Sequence, residues 1–154
     1  MDAPLTPPPP AGQFSGNAHL FPVRVYYEDT DLTGMVYHAN YLRWFERARS
    51  DLLRLLGIEQ RGAVDDGTGF YTVAELNIRY LVPARLDDAV TVATTALELG
   101  AASVRLRQQA LRGEQLLAEA TVRVGFIGPD GRPRRQPDAW RAAFKTLQLA
   151  KDAA

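Results

Sequence analysis

The chain has 154 residues, 46% of them hydrophobic, which is enough for one domain with a real core and too little for two. Its 18 basic and 18 acidic residues cancel, so net charge draws it neither to nucleic acid nor to an anionic membrane. Because it contains no cysteine, it has no disulfide, thiolate metal site or cysteine nucleophile. Because it has neither a long apolar run nor a signal-peptide pattern, we expect no integral membrane segment and a cytoplasmic location.

The first segment, residues 1–19, is predicted to be a disordered, proline-rich tail ahead of a single domain over residues 20–150. It contains Pro7 to Pro10 and few large apolar residues, so it cannot bury enough surface to offset the entropy cost of ordering it. His19 closes the segment and is interpreted as a solvated loop residue.

A strand is predicted next, because residues 21–27 mix aromatic and β-branched side chains and alternate between two faces. Its apolar face is expected to carry Val23, Val25 and Tyr27. The carboxylates and turn formers of residues 28–34 end the strand, and Gly34 is free to adopt a positive φ.

A long helix is predicted over residues 39–56, where apolar residues recur at spacings of three and four and form one stripe. The stripe consists of Tyr41, Phe45, Ala48, Leu52, Leu55 and Leu56. Gly57 is the expected helix end. About five turns with one strongly apolar side place this helix at the centre of the predicted core.

Four further strands are predicted in hairpin succession, because apolar and polar residues alternate in each. They span residues 74–82, 89–99, 104–111 and 116–126. A short amphipathic helix follows, with Pro137 in its first turn and Trp140, Phe144 and Leu147 along one side. This order of elements indicates an α+β fold, an antiparallel sheet of about five strands with one long helix packed on it.

Reactive groups are concentrated between residues 26 and 46, at the predicted junction of the first strand and the long helix. A helix N-terminus offers unpaired backbone N–H groups and partial positive charge, which can polarise a carbonyl group. Asp31 in the approach loop can then act as a base or a nucleophile. Taken alone, Asp31 is more often a turn residue, and Asp29 would raise its pKa by like-charge repulsion if the two lie close.

The residues at this junction resemble those of a known family. Tyr26-Tyr27-Glu28-Asp29-Thr30-Asp31 is followed by Gly34, then by Val36-Tyr37-His38-Ala39-Asn40-Tyr41 and by Phe45-Glu46-Arg47-Ala48-Arg49. This pattern closely resembles the 4-hydroxybenzoyl-CoA thioesterase-like family, and within it the YbgC type associated with the Tol-Pal system. The broader similarity extends over residues 21–126.

The resemblance implies a hotdog fold, in which an antiparallel sheet wraps around the long helix and two subunits join their sheets. It implies an acyl-CoA thioesterase that needs no metal or organic cofactor, works as a homodimer or homotetramer and forms its active sites at the subunit interface. Asp31 corresponds to the family's catalytic aspartate, and His38 supplies a backbone N–H to the thioester carbonyl, with its imidazole a lesser candidate. The substrate-binding positions that the resemblance implies are Gly34, Val36, Tyr37, Asn40 and Tyr41.

Several alternatives stay open at this point. Asp31 can be a nucleophile or a general base, and Asn40 and Tyr41 can instead serve the helix start and the core. A hotdog scaffold that binds an acyl carrier protein or a phospholipid-synthesis enzyme is the main competing function. A hotdog dehydratase is disfavoured, because His38 lies outside the motif that such enzymes use.

Overall fold

The structure is a computed structural model that describes residues 5–147. Within that range, five elements precede the middle of the chain: β1 (Gln13–Ser15), β2 (Ala18–Arg24), a 3₁₀ helix (Tyr27–Asp29), α1 (Asn40–Leu55) and α2 (Gln60–Asp65). The remaining elements are β3 (Phe70–Tyr80), β4 (Ala89–Leu99), β5 (Ser103–Arg112), β6 (Gln115–Ile127) and α3 (Asp138–Lys145). The predicted α+β class is therefore confirmed, and the long helix is one residue shorter at each end than predicted.

The strands form one antiparallel sheet in the order β1-β2-β4-β5-β6-β3. The prediction of hairpin succession is right for β4, β5 and β6 and wrong for β3, which pairs with β6 rather than with β4. Tight turns join β4 to β5 and β5 to β6, whereas the longer connection of residues 81–88 lets the chain cross the sheet. As a result β3 lies at one end of the sheet, with one edge unpaired within the described residues.

One side of α1 forms the centre of the core. Trp44, Phe45, Ala48 and Leu52 are at most 1% exposed, and they pack against apolar side chains of β2, β4, β5 and β6. The predicted stripe is confirmed except at Leu55, which is 40% exposed. Gly57 ends the helix as predicted, because its φ of 80° lies in the left-handed region that favours glycine.

The prediction of a disordered tail up to residue 19 is wrong for its last part. Residues 13–15 form β1, which pairs with β2, and β2 already begins at Ala18. His19 is not solvated: it is completely buried, and its Nε2 lies 2.6 Å from Oδ2 of Asp51 on α1. The backbone N–H of Gly12 donates to the same carboxylate oxygen at 2.9 Å. The local composition gave no sign of this pair because its partner lies 32 positions further along the chain.

Two other element predictions need correction. The first strand ends at Arg24, and Tyr27 belongs to the 3₁₀ helix with its side chain 82% exposed. The sequence analysis also missed α2 and β1, which brings the sheet to six strands instead of about five. Among the helices within residues 5–147, none is long and apolar enough to cross a membrane.

The buried pair of His19 and Asp51 makes a testable contribution to stability. We expect Asp51→Ala to lower the free energy of unfolding by about 3–5 kcal/mol, because it leaves the His19 ring and the Gly12 N–H buried without their partner. Asp65→Ala, at an exposed aspartate on α2, is the matched control and is expected to change stability by about 0.5 kcal/mol or less. Urea denaturation at one fixed protein concentration measures both, and equal stabilities of the two variants would contradict a stabilising role for the pair.

Candidate active site

The loop between the 3₁₀ helix and α1 is held against the connection between β3 and β4. The N–H of Val36 donates to the carbonyl oxygen of Ala84 at 2.9 Å, and Met35 forms an isolated bridge with Arg85. A second bridge joins Thr30 to Val36 and closes the loop on itself. These bonds hold the intervening residues, including Asp31, in one defined conformation.

Asp31 lies exposed at the start of this loop, with one carboxylate oxygen engaged. Its Oδ1 accepts hydrogen bonds from the Thr33 backbone N–H at 2.8 Å and from the Thr33 hydroxyl at 2.5 Å. Gly34 completes the turn with a φ of 79°, and its N–H donates to the Asp31 carbonyl oxygen at 3.1 Å. Both bonds from Thr33 go to the same carboxylate oxygen.

The two bonds from Thr33 lower the pKa of Asp31 below its ordinary value of 3.8, because they stabilise the ionised form. The expected rise in pKa from Asp29 is therefore wrong. The Asp29 carboxylate instead accepts the backbone N–H of Tyr26 at 2.9 Å. Asp31 is therefore an anion at neutral pH.

The same turn occurs a second time in the molecule. Oδ1 of Asp66 accepts the N–H of Thr68 at 2.9 Å and its hydroxyl at 2.6 Å, and these bonds likewise lower the pKa of Asp66. Hydrogen bonding alone therefore does not single out Asp31. What distinguishes Asp31 is its place in the loop that leads into the long helix α1.

The start of α1 presents free backbone donors. The N–H groups of His38 and Ala39 donate to no acceptor within the described residues, and no side chain caps the helix. Asn40 is buried, and its amide donates to the carbonyl oxygen of Asp29 at 2.9 Å. The N–H of Tyr37 donates to the same oxygen at 2.9 Å, which fixes the approach of the loop to the helix.

A cleft of about 200 Å³ adjoins this junction. It is lined by Val36, His38, Tyr41, Tyr80, Leu81, Val82 and Pro83. Val36 and Tyr41 are buried, and the Tyr41 hydroxyl accepts the N–H of Ala84 at 3.0 Å. Tyr37 is half exposed beside the His38 ring, with 4.6 Å between ring centroids. Most of the residues implied as site residues therefore lie at one junction, with Val36, His38 and Tyr41 in the cleft and Asn40 as the first residue of α1.

Tyr80 is a residue of this junction that the sequence analysis did not select. Its hydroxyl donates to the carbonyl oxygen of His38 at 2.9 Å, and its ring contacts those of His38 and Tyr41. Burial raises the pKa of this hydroxyl. The sequence placed Tyr80 only on a predicted strand, because a contact 42 positions away leaves no local signal.

Comparison with known proteins identifies the family that this fold and junction belong to. The model of the Thioesterase superfamily matches residues 33–119, and the chain is a member of that family. The acyl-CoA thioesterase YbgC of Haemophilus influenzae is 41% identical over 133 residues, which are 86% of this chain and 98% of that protein. The match to the family model begins two residues after Asp31.

Solved structures confirm the hotdog fold. A probable thioesterase from Bartonella henselae superposes with a TM-score of 0.74 at 38% identity, over 78% of this chain and 99% of that one. A 1,4-dihydroxy-2-naphthoyl-CoA thioesterase from Synechocystis, 23% identical, superposes with a TM-score of 0.79 over 86% of this chain and 99% of that one. At that identity the second likeness concerns the fold alone.

The hydrogen bonds of Thr33 lead to a prediction about pH. If activity requires the Asp31 carboxylate, it is lost as pH falls through the lowered pKa of that group. Thr33→Val removes the hydroxyl bond, the largest cause of the lowering, so we expect the acid limb of the kcat/KM profile to move to higher pH. Thr68→Val alters the matching turn at Asp66 and is expected to leave the limb in place. Coincident acid limbs for wild type and Thr33→Val would contradict the requirement.

Proposed function

We propose that this chain hydrolyses acyl-CoA thioesters with Asp31 as the reacting carboxylate and the backbone N–H of His38 as the oxyanion donor. Water adds to the thioester, the carbon–sulfur bond breaks, and the products are a carboxylic acid and free CoA thiol. The observation that carries the proposal is an ionised carboxylate in the loop that leads directly into α1, whose first N–H groups have no backbone acceptor within the described residues. The family membership supports the same chemistry.

The thioester carbonyl oxygen gains negative charge as the carbon is attacked, and N–H groups already fixed at the helix start stabilise that charge. Tyr80 supports this geometry. Its hydroxyl donates to the carbonyl oxygen of His38, and this bond holds the backbone of the residue whose N–H is the proposed donor. The cleft beside His38 and Tyr41 offers an apolar wall for the group next to the carbonyl.

Two routes fit the carboxylate. Asp31 can attack the thioester carbon and expel CoA thiolate, which leaves an anhydride that water then cleaves. Alternatively, Asp31 can take a proton from the attacking water. The lowered pKa favours the first route, because it weakens the carboxylate as a base but keeps it ionised and available.

The central test of this proposal is Asp31→Asn. We expect it to lower kcat/KM for acyl-CoA by about 10²-fold or more, because an amide neither attacks the thioester effectively nor accepts a proton. Free-thiol release from short, long and aromatic acyl-CoAs measures the rate. Asp66→Asn, in the second copy of the turn, is the matched control and should retain wild-type activity. Full activity in Asp31→Asn would remove Asp31 from the mechanism.

We further propose that the working form is a homo-oligomer joined along the free edge of β3. Within residues 5–147 the eleven-residue strand β3 pairs only with β6, and an unpaired strand edge is a template for another strand. Phe70, Val73 and Tyr80 are 39%, 46% and 44% exposed along it. A two-fold axis beside β3 would join two sheets into one and cover these side chains. A homotetramer, made of two such dimers, stays a prediction. A cytoplasmic location and an acyl carrier protein as a partner also stay predictions.

Val73→Asp tests this edge. It places like charges close together across the two-fold axis, so we expect the dimer to dissociate and thioesterase activity to fall with it. Light scattering at micromolar protein should show two or four times the chain mass of 17.0 kDa for wild type and half the wild-type mass or less for the variant. Val64→Asp changes a similarly exposed valine on α2 and is expected to keep the wild-type mass. A monomeric wild type would rule out the interface.

A further inference from the structure

A second cavity, of about 280 Å³, lies between α1 and the sheet, away from the Asp31 loop. Most of its wall is apolar and comes from α1, β5, β6 and α3: Leu52, Leu53, Val104, Leu106, Val124 and Phe144. The start of β3, at residues 71–73, forms the side next to the free strand edge. Since a water molecule occupies about 30 Å³ in the liquid, the cavity has room for roughly nine non-hydrogen atoms.

One charged side chain in this cavity has an unusual environment. Arg49 is largely withdrawn from solvent, and burial lowers the pKa of its guanidinium group. Its hydrogen bond goes to a neutral group, Oε1 of the fully buried Gln108, at 2.8 Å. Gln108 is held in turn by its bonds to the Phe45 carbonyl oxygen and the Thr94 hydroxyl, both at 3.0 Å.

Arg49 forms no ion pair within the described residues. Glu46 lines the same cavity and attracts Arg49 without forming an ion pair, and its carboxylate accepts the Ser50 hydroxyl at 2.9 Å. A guanidinium group stays protonated even when buried and has five N–H donors. A desolvated cation without a carboxylate partner is costly, and an anionic group that enters the cavity would offset that cost.

Topology relates this cavity to the Asp31 junction. The cavity adjoins the start of β3, whereas Tyr80 at the end of β3 contacts His38. Within one chain these two points are about 27 Å apart along the strand, at about 3.4 Å per residue. When two copies pair antiparallel along β3, the start of one strand lies opposite the end of the other. The cavity of each subunit then adjoins the Asp31 junction of its partner.

We infer that this cavity holds the acyl group of a substrate bound at the partner's Asp31 junction, and that Arg49 selects acyl groups that end in a carboxylate. The inference rests on the proposed function and on the proposed β3 interface. The guanidinium group binds the terminal carboxylate through charge-assisted hydrogen bonds, while the apolar wall packs against the methylene groups between the two ends. The volume suits monothioesters of short dicarboxylic acids, with about four to eight carbons.

Matched pairs of substrates test the inference. Succinyl-CoA and butyryl-CoA have the same number of carbons and differ by the terminal carboxylate, as do glutaryl-CoA and pentanoyl-CoA. We expect wild-type kcat/KM to favour the carboxylate member of each pair by about tenfold or more, the size of one charge-assisted hydrogen bond. An equal or reversed preference in wild type would overturn the inference without any variant.

Arg49→Gln then assigns the preference to the guanidinium group. We expect the variant to bring the ratio within each pair close to one, mainly by raising KM for the carboxylate member. Arg49→Lys keeps the charge without the planar fork and should keep part of the preference. Arg47→Gln, at an exposed arginine of the same helix, is the control and should keep all of it. An unchanged ratio in a folded Arg49→Gln variant, as judged by circular dichroism, would overturn the role of Arg49.

The outcomes separate this inference from the proposed function. Hydrolysis of butyryl-CoA without a carboxylate preference overturns the selection by Arg49 and leaves the thioesterase proposal standing. A wild-type protein that cleaves neither member of any pair, nor any longer or aromatic acyl-CoA, overturns the proposed function and this inference together.

Discussion

The burial of one side of α1 against the sheet is the constraint on which the rest of the structure depends. Trp44, Phe45, Ala48 and Leu52 are removed from water almost completely, and each large apolar side chain contributes about 1.5–3 kcal/mol on burial. This packing fixes the axis of the helix. It therefore also fixes where the unpaired N–H groups at the N-terminus of α1 point.

The loop that carries Asp31 is positioned relative to that helix by backbone bonds. The carbonyl oxygen of Asp29 accepts both the Tyr37 N–H and the Asn40 amide, so the residues before and after the free donors are anchored to one atom. The connection between β3 and β4 supports the other side of the loop through Ala84. A carboxylate and a set of N–H donors are thus preorganised on two elements, which is what electrostatic stabilisation of an oxyanion needs.

Much of this could be predicted from the sequence, because it depends on local patterns. Short stretches of sequence determine the apolar stripe of α1, the alternation in β4, β5 and β6, and the turn at Gly34. The errors concern residues whose environment is set by distant partners. His19 is buried because it pairs with Asp51, and β3 lies at the end of the sheet because it pairs with β6. Tyr80 lies at the junction because its hydroxyl donates to the carbonyl oxygen of His38. Arg49 belongs to the helix motif recognised in the sequence, but only the fold shows that it is half-buried beside a neutral glutamine.

The central claim is that the thioester carbonyl is bound between Asp31 and the start of α1. The most direct measurement is a crystal structure of the Asp31→Asn variant with an uncleaved acyl-CoA bound. We expect the thioester carbonyl oxygen at about 3 Å from the backbone N–H of His38, with the thioester carbon facing residue 31. An acyl-CoA whose thioester lies away from this junction, with the His38 N–H unoccupied, would contradict the proposed site.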